Sequence, residues 1–245
     1  MDNPTYVSLS RQSGLLKELS VIANNMANAG TTGFKREGAI FTEYVKSVGS
    51  DRPSDNPRES MSMGRLGAHV SHFESGELSQ TGGTLDVAIE GEGFFLVETP
   101  QGDRLTRAGH FMTDNEGTLI NTSGYAVLDD AGGRIQIPQE VNILAIGGDG
   151  TISADGIELG KLGLVNANPQ ELSREGENLW VAENGYEPVE DATFVQGFLE
   201  GSNVQPIAEI ARMIEVQRAY DVGQKLLEIE SDRIDSVITT IRQLT

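Results

Sequence analysis

The sequence predicts an α+β protein: N- and C-terminal helices form a coiled-coil-like domain, and a central, mainly antiparallel β domain lies between them. Three observations carry this reading. Apolar residues recur every seven positions at both ends of the chain, the period changes to two in the middle, and many of the 29 glycines sit in turn-like clusters between short apolar runs. The boundaries that follow are 1–46 and 199–245 for a discontinuous helical domain, 47–69 for a linker or loop, and 70–198 for the β domain.

The first helix is expected to begin near Pro4, a good early-turn residue. Leu9, Leu16 and Ala23 are spaced by seven, as are Gln12, Leu19 and Met26, with Leu15 and Ile22 widening the stripe. That is the seam of a helix packing along another helix. The run NNMANAGTTGFKREG stops it, with Asn28 and Gly30 as the expected C-terminal signal. Residues 47–66, SVGSDRPSDNPRESMSMGRL, lack periodicity and read as a linker.

From about Val70 the alternation is that of strands. Leu85, Val87 and Ile89 alternate with Asp86, Ala88 and Glu90, and the run FFLVE follows at Phe94–Glu98. Further strands are expected at 104–107, 118–121, 125–128, 135–137, 141–146, 162–165 and 179–182. The intervening PQGD, DNEG, DDAGG, GGDG, ADG and ENG are turn signals. From Val204 the period is helical again. Met213, Tyr220, Leu227, Ile234 and Ile241 are spaced by seven, with Val216, Gly223, Glu230, Val237 and Leu244 as companions. A helix of this length would reach roughly 60 Å, more than a β domain can cover. Isolated helices are marginal in water, so each terminal helix needs the other, or a copy from a neighbour.

Charge follows the same division. Residues 1–46 hold four acidic and five basic side chains, residues 47–198 hold 25 and eight, and residues 199–245 hold eight and five, giving −19 overall. An acidic middle repels nucleic acid and anionic lipid, while near-neutral ends can approach their own copies. No stretch nears the 18 apolar residues of a membrane span, and MDNPTYVSLS lacks the layout of a cleaved signal peptide. The absence of cysteine excludes disulfides and thiol chemistry.

No catalytic, cofactor or metal constellation emerges. His69, His72 and His110 lack companion ligands at metal-site spacing and read as ordinary surface or turn residues. Gly147-Gly148-Asp149-Gly150 occurs once, where a calcium β-roll needs stacked repeats, and Asp114–Gly117 lacks the remaining positions of an EF-hand loop. Gly91-Glu92-Gly93 is followed by Leu96 and no phosphate-binding lysine, and there is no nucleophile elbow. Two other classes stay open on the residues alone: a carbohydrate-active module built on the acidic domain, and a freestanding coiled-coil adaptor. Trp180 is the only tryptophan, which weakens the first.

Three motifs in order resemble the flagellar rod and hook protein family. ANNMANAGTTGFKRE resembles its rod signature at Ala23, Asn24, Asn25, Ala27, Asn28, Thr31, Gly33, Phe34 and Lys35. TGGTLDVAIEGEGFFLVETPQGDRLTRAGHF resembles the landmarks of its β domain. LEGSNVQPIAEIARMIEVQRAYD resembles its C-terminal opening at Leu199, Glu200, Ser202, Asn203 and Val204, then at Met213, Ile214, Gln217, Arg218 and Tyr220. The opening MDNPTYVSLSRQ and the modest length are most similar to proximal-rod members, with the distal rod or hook as alternative.

The resemblance implies a structural subunit without enzymatic activity or cofactor. Its terminal helices would pack with copies of itself and other rod proteins into an axial tube, and the flagellar type III export apparatus would deliver it to the periplasmic rod. On this reading Leu9, Leu16, Leu19, Ala23 and Met26 pack against Met213, Tyr220, Leu227, Ile234 and Ile241 within and between subunits. Asn24, Asn25 and Asn28 satisfy polar groups at the helix end, and Gly33 allows a turn before Phe34 anchors the return.

Overall fold

A computed structural model describes residues 3–47, 60–176, 178–189 and 193–243. The chain forms two compact units: a helical unit of Met1–Ala27, Glu37–Val70 and Gln205–Thr245, and a β body of Asn28–Arg36 and Ser71–Val204. The chain ends therefore divide differently from the 1–46 and 199–245 of the sequence reading, because 28–36 and 199–204 belong to the β body.

In the helical unit, α1 (Asn3–Ala27) packs on α2 (Pro206–Gln243) and on strand β1 (Glu37–Ser47). β1 pairs with β2 (Ser60–Ser71) as a two-stranded sheet. Residues 60–66 are thus strand where the sequence reading placed linker, and 48–59 lie outside the described residues. Pro206 opens α2 at a position that needs no N–H, with Glu209 in the first turn and Arg242 in the last, both favourable to the helix dipole. At 1.5 Å per residue, α1 is about 37 Å long and α2 about 57 Å, so α1 alone cannot cover the last turns of α2.

α1 ends at Ala27, where the Asn28 carbonyl accepts from Thr31 N–H (3.1 Å) and Asn28 Oδ1 from Thr31 Oγ1 (3.2 Å). The left-handed glycine is Gly33 (φ +66°), not the expected Gly30.

The β body is an antiparallel framework. Its strands are β3 (Leu78–Gln80), β4 (Val87–Glu90), β5 (Phe94–Thr99), β6 (Gly102–Thr106), β7 (Phe111–Thr113), β8 (Leu119–Asn121) and β9 (Ala126–Val127). There follow β10 (Leu144–Ile146), β11 (Thr151–Ala154), β12 (Ile157–Lys161), β13 (Leu164–Asn166), β14 (Leu172–Arg174), β15 (Leu179–Ala182), β16 (Glu187–Pro188), β17 (Thr193–Gln196) and β18 (Phe198–Glu200). The main sheet runs β14-β15-β6-β5-β9-β8-β7, with β13 bridging β5 and β16.

β5 shows why FFLV is continuously apolar. Phe95 and Val97 enter one core with Phe111, Leu119, Ile152 and Phe194, while Phe94 and Leu96 enter a second with Leu105, Val165 and Trp180. A strand buried on both faces loses the polar alternation. The turns are closed by aspartates: Asp114 Oδ1 accepts from Glu116 N and Thr118 N, Asp129 Oδ1 from Ala131 N and Gly133 N, and Asp149 Oδ1 from Thr151 N. The expected strand at 135–137 is instead a bridged segment whose Ile135 and Ile137 are buried, and the one at 141–146 shortens to β10. The last two strands come home late in the sequence, β17 against β4 and β18 against β3.

Candidate functional site

The contact between α1 and α2 is unusual in what it buries. Val21, Ile22 and Val216 are inside, but so are Gln12, Glu18, Asn25 and Glu209. Asn25 is held on three sides: its Nδ2 donates to the Glu37 carbonyl (2.8 Å) and to Glu209 Oε2 (3.3 Å), and its Oδ1 accepts from Glu37 N–H (3.0 Å). Glu18 Oε1 receives two hydrogens from Arg212, at 2.8 Å from Nε and 2.7 Å from Nη2, and this pairing raises the Arg212 pKa. Gln12 lies against Gly223, where an added Cβ would stand 3.4 Å from its Nε2. The Asn25–Glu209 and Glu18–Arg212 pairs constrain register, because any slip leaves the buried Asn25, Glu209 or Glu18 group unmade; the buried Gln12 Nε2 has no partner among the described residues.

The apolar residues point elsewhere. Leu9 is 56% exposed and Leu16 51%, and Ala23 is exposed as well. On α2, Ile207, Ile210, Ile214, Val222, Leu226 and Ile229 are exposed. So are Ile234, Val237, Ile238 and Ile241, which fall in the turns that α1 is too short to reach. Of the ten residues expected on the seam, Leu19, Met26, Met213, Tyr220 and Leu227 are half-buried, while Leu9, Leu16, Ala23, Ile234 and Ile241 face outward.

A second constellation lies inside the β body, where 28–36 meets 199–204. Glu200 is 1% exposed; its Oε1 accepts from Lys35 Nζ (2.6 Å) and Gly76 N (2.8 Å), and its Oε2 from Arg107 Nη1 (3.4 Å). Its own carbonyl takes the Gly33 N–H at 2.7 Å. Lys35, itself fully buried, donates further to the Glu74 carbonyl at 2.8 Å. Burial pushes the Lys35 pKa down against the opposing pull of Glu200, and burial likewise lowers that of Arg107.

Asn203 ties the same segments together. Its Oδ1 accepts from Arg36 N (2.6 Å), and its Nδ2 donates to the carbonyls of His72 (2.7 Å) and Glu74 (3.0 Å). Phe34 is fully buried beneath the Arg174 guanidinium, 4.2 Å from its ring centre. Gly33 must be glycine twice over: its φ is positive, and a Cβ would come within 2.4 Å of the Arg107 backbone carbon.

The signature residues therefore serve two places. Gly33, Phe34, Leu199, Glu200, Ser202, Asn203 and Val204 lie in this node or on the strand and turn that feed it, with Leu199 pairing Ser79 and Ser202 Oγ accepting from Val204 N (3.2 Å). Asn25 serves the helical unit, Asn24 is exposed on α1, and Asn28 closes that helix. Sequence reasoning did not single out Arg107, Gly76, Glu18, Glu209 or Arg212. Lys35 and Arg107 stood inside quoted motifs, but a charged residue gives no local sign that it will be buried. Among the described residues, no group of three or more His, Cys, Asp or Glu side chains is placed to hold a metal ion.

Comparison with known proteins meets this geometry on each segment. A profile described as flagella basal body rod protein matches residues 6–35, one for the flagellar hook protein FlgE/F/G D1 domain matches 88–154, and one for the flagellar basal body rod FlgEFG protein C-terminal region matches 195–240. The chain is 40% identical to the flagellar basal-body rod protein FlgF of Caulobacter vibrioides across the full length of both. The chain belongs to the flagellar basal-body rod protein family. Other members are the FlgF of Mesorhizobium japonicum, 35% identical over 98% of each chain, and the FlgG of Bacillus subtilis, 32% identical over 97% of this chain and 98% of that one.

Within this rod family the role is structural, and the two constellations divide it. The node joins the segments 28–36 and 199–204 within the β body, while α1 and α2 of the helical unit carry exposed leucines and isoleucines. The helices are not membrane spans: no helix among the described residues is long and apolar enough to cross a bilayer.

Proposed function

We propose that this rod-family chain polymerises through its terminal helices into the axial tube of the flagellar basal body, with copies of itself and other rod proteins as neighbours. The observation that carries the reading is the outward apolar stripe of the helical unit, Leu9 and Leu16 on α1 and Ile234, Val237, Ile238 and Ile241 on α2. Exposed apolar surface of that extent is costly in a lone molecule and marks an interaction face. The polar contacts between α1 and α2 set register within a subunit, and the leucine and isoleucine faces pack between subunits.

The role is non-catalytic. Similarity to two FlgF proteins over nearly the whole chain supports a place in the proximal rod. Delivery is through the flagellar type III export apparatus to the periplasmic rod. Helices of marginal isolated stability suit passage of a loosely folded chain through a narrow channel.

The test uses residues that the isolated chain leaves exposed. Leu9→Asp with Leu16→Asp leaves the purified subunit folded, with its circular dichroism and melting temperature close to wild type. The same variant fails to complement a deletion strain, whose basal bodies, viewed by electron microscopy, have truncated rods without hook or filament. Wild-type incorporation of the double variant sinks the proposed interface. A Leu227→Asp variant, altered at a half-buried position, is the less discriminating companion because it perturbs the subunit itself.

A further inference from the structure

The chain passes between the two units four times: it enters the β body at Asn28, leaves after Arg36, re-enters at Ser71 and leaves again after Val204. The runs of the β body that flank these crossings are laced to one another. Gly33 N–H donates to the Glu200 carbonyl (2.7 Å), Asn203 N–H to the Phe34 carbonyl (3.3 Å), and Arg36 N–H to Asn203 Oδ1 (2.6 Å). Contacts thus rise together along both runs, from Gly33 with Glu200 to Arg36 with Asn203, so 33–36 and 200–203 lie parallel. The run 72–77 lies antiparallel to 200–203. Asn203 Nδ2 donates to the carbonyls of His72 (2.7 Å) and Glu74 (3.0 Å), and Gly201 N–H donates to the Glu77 carbonyl (2.8 Å). It leads into β3, which pairs with β18 in the same sense. His72 N–H closes the third side on the Arg36 carbonyl (2.9 Å).

Chain direction decides how such a bundle bears load. Tension from the N-terminal end reaches the run 28–36 at its first residue, and tension from the C-terminal end reaches 199–204 at its last. Parallel runs drawn from opposite ends slide along one another, so the bonds between them are strained together. Antiparallel runs drawn from one end would open bond by bond. The Lys35–Glu200 bridge (2.6 Å) joins the same two parallel runs and is buried, so sliding them apart strands two desolvated charges as well as breaking hydrogen bonds. In a polymer held through its terminal helices, the reading proposed above, load enters the β body through these runs.

We propose that 33–36, 72–77 and 200–203 form a mechanical clasp that keeps the β body closed against tension from the two chain ends. Asn203 and the Lys35–Glu200 pair bear that load. The clasp is separate from the apolar core around Phe95, which holds the same body against heat and denaturant.

The experiment stretches the full-length chain at constant load in optical tweezers. The chain is held first by its two termini, and then by thiols introduced at the exposed positions Glu116→Cys and Glu158→Cys of a chain without cysteine. The path 116–158 contains no clasp residue and runs through the core at Leu119 and Ile152. At equal load the wild-type β body lasts longer by its ends than across 116–158. Forced unfolding follows the unfolding rate, so Asn203→Ala shortens the end-pulled lifetime about tenfold and the internally pulled one by less than about twofold. Phe95→Ala has the reverse preference. Equal shortening of both lifetimes by Asn203→Ala would make the node a general stabiliser and overturn the proposal. A wild-type body that yields sooner by its ends than across 116–158 overturns it too, and that comparison leaves every clasp residue in place. Rod incorporation is read on Leu9 and Leu16, so failure here leaves the proposed assembly standing.

Discussion

The two units of this molecule place polar and apolar side chains in opposite ways. In the β body the apolar residues are inside: Phe95, Val97, Leu119, Val127 and Ile152 are essentially inaccessible, and Ile143 and Ile157 are among the few large ones left out. In the helical unit, Gln12, Glu18, Asn25 and Glu209 occupy much of the contact between helices, while leucines and isoleucines line the exterior. A unit that is complete by itself buries what water rejects. A unit that leaves its apolar residues exposed, as the proposed assembly face does, has polar pairs between its own helices instead. The difference separates a body whose apolar residues are buried from a helical unit whose leucines and isoleucines remain exposed, the contrast on which the proposed assembly rests.

The largest effects should therefore come from the β body. Phe95→Ala removes a side chain packed edge-on to Phe111 and against Phe194, and loses about 3–5 kcal/mol in denaturant unfolding. Glu200→Ala strips the carboxylate from buried Lys35 and Arg107, and the uncompensated charges give a loss of about the same size. The two mechanisms separate on adding Lys35→Met to Glu200→Ala: removing the stranded ammonium recovers part of the loss. An unchanged double variant would mean that the node contributes shape rather than charge pairing.

Next in size is Asn25→Ala. It deletes three hydrogen bonds and leaves the Glu37 N–H and carbonyl without their amide partner, which costs about 1–3 kcal/mol. Replacing outward apolar residues should do far less. Leu226→Ser or Ile238→Ser shifts subunit stability by no more than about 0.5 kcal/mol, as for exposed sites generally. If either outward substitution matched Asn25→Ala in unfolding experiments, the contrast between inner polar and outer apolar faces would fail.

How far the sequence revealed this arrangement depended on the range of the signal. Period-seven and period-two patterns are local, and they gave both helices, the β5 run and the Leu179–Ala182 strand close to their observed limits. The strands β17 and β18 were missed because they are defined by partners about a hundred residues earlier, Val87–Glu90 and Leu78–Gln80, and not by their own alternation. The stripe Leu9–Leu16–Ala23 was legible as apolar, but periodicity alone does not say whether a stripe faces its own chain or another. The node was visible only as motif residues. Nothing in Lys35 or Glu200 taken singly announces a partner 165 positions away. Buried ion pairs are properties of the closed fold.

The smallest effects sharpen the comparison through acid. Hydrogen bonds from the backbone of Thr118 and Glu116 hold the Asp114 carboxyl below its ordinary range, and Thr151 does the same for Asp149 through backbone and side chain. A depressed carboxylate pKa adds stability that is fully present above the unfolded value, about pH 4, and is lost as pH falls through the folded value. Both aspartates close turns of the β body, whereas on α2 the depressed carboxyl is Glu230, paired with Arg233 one turn away. These groups are exposed, so the contributions are small and screened by salt. Acid below about pH 4 should thus loosen individual hairpin turns before either core. In carboxyl-detected NMR titrations, Asp114 and Asp149 titrate below reference aspartate, and Arg233→Ala returns Glu230 toward the ordinary glutamate range without moving the two aspartates. A shift of Asp114 in that variant would mean that its titration is set by long-range charge rather than by its own turn, and the assignment of acid sensitivity to local turn geometry would be lost.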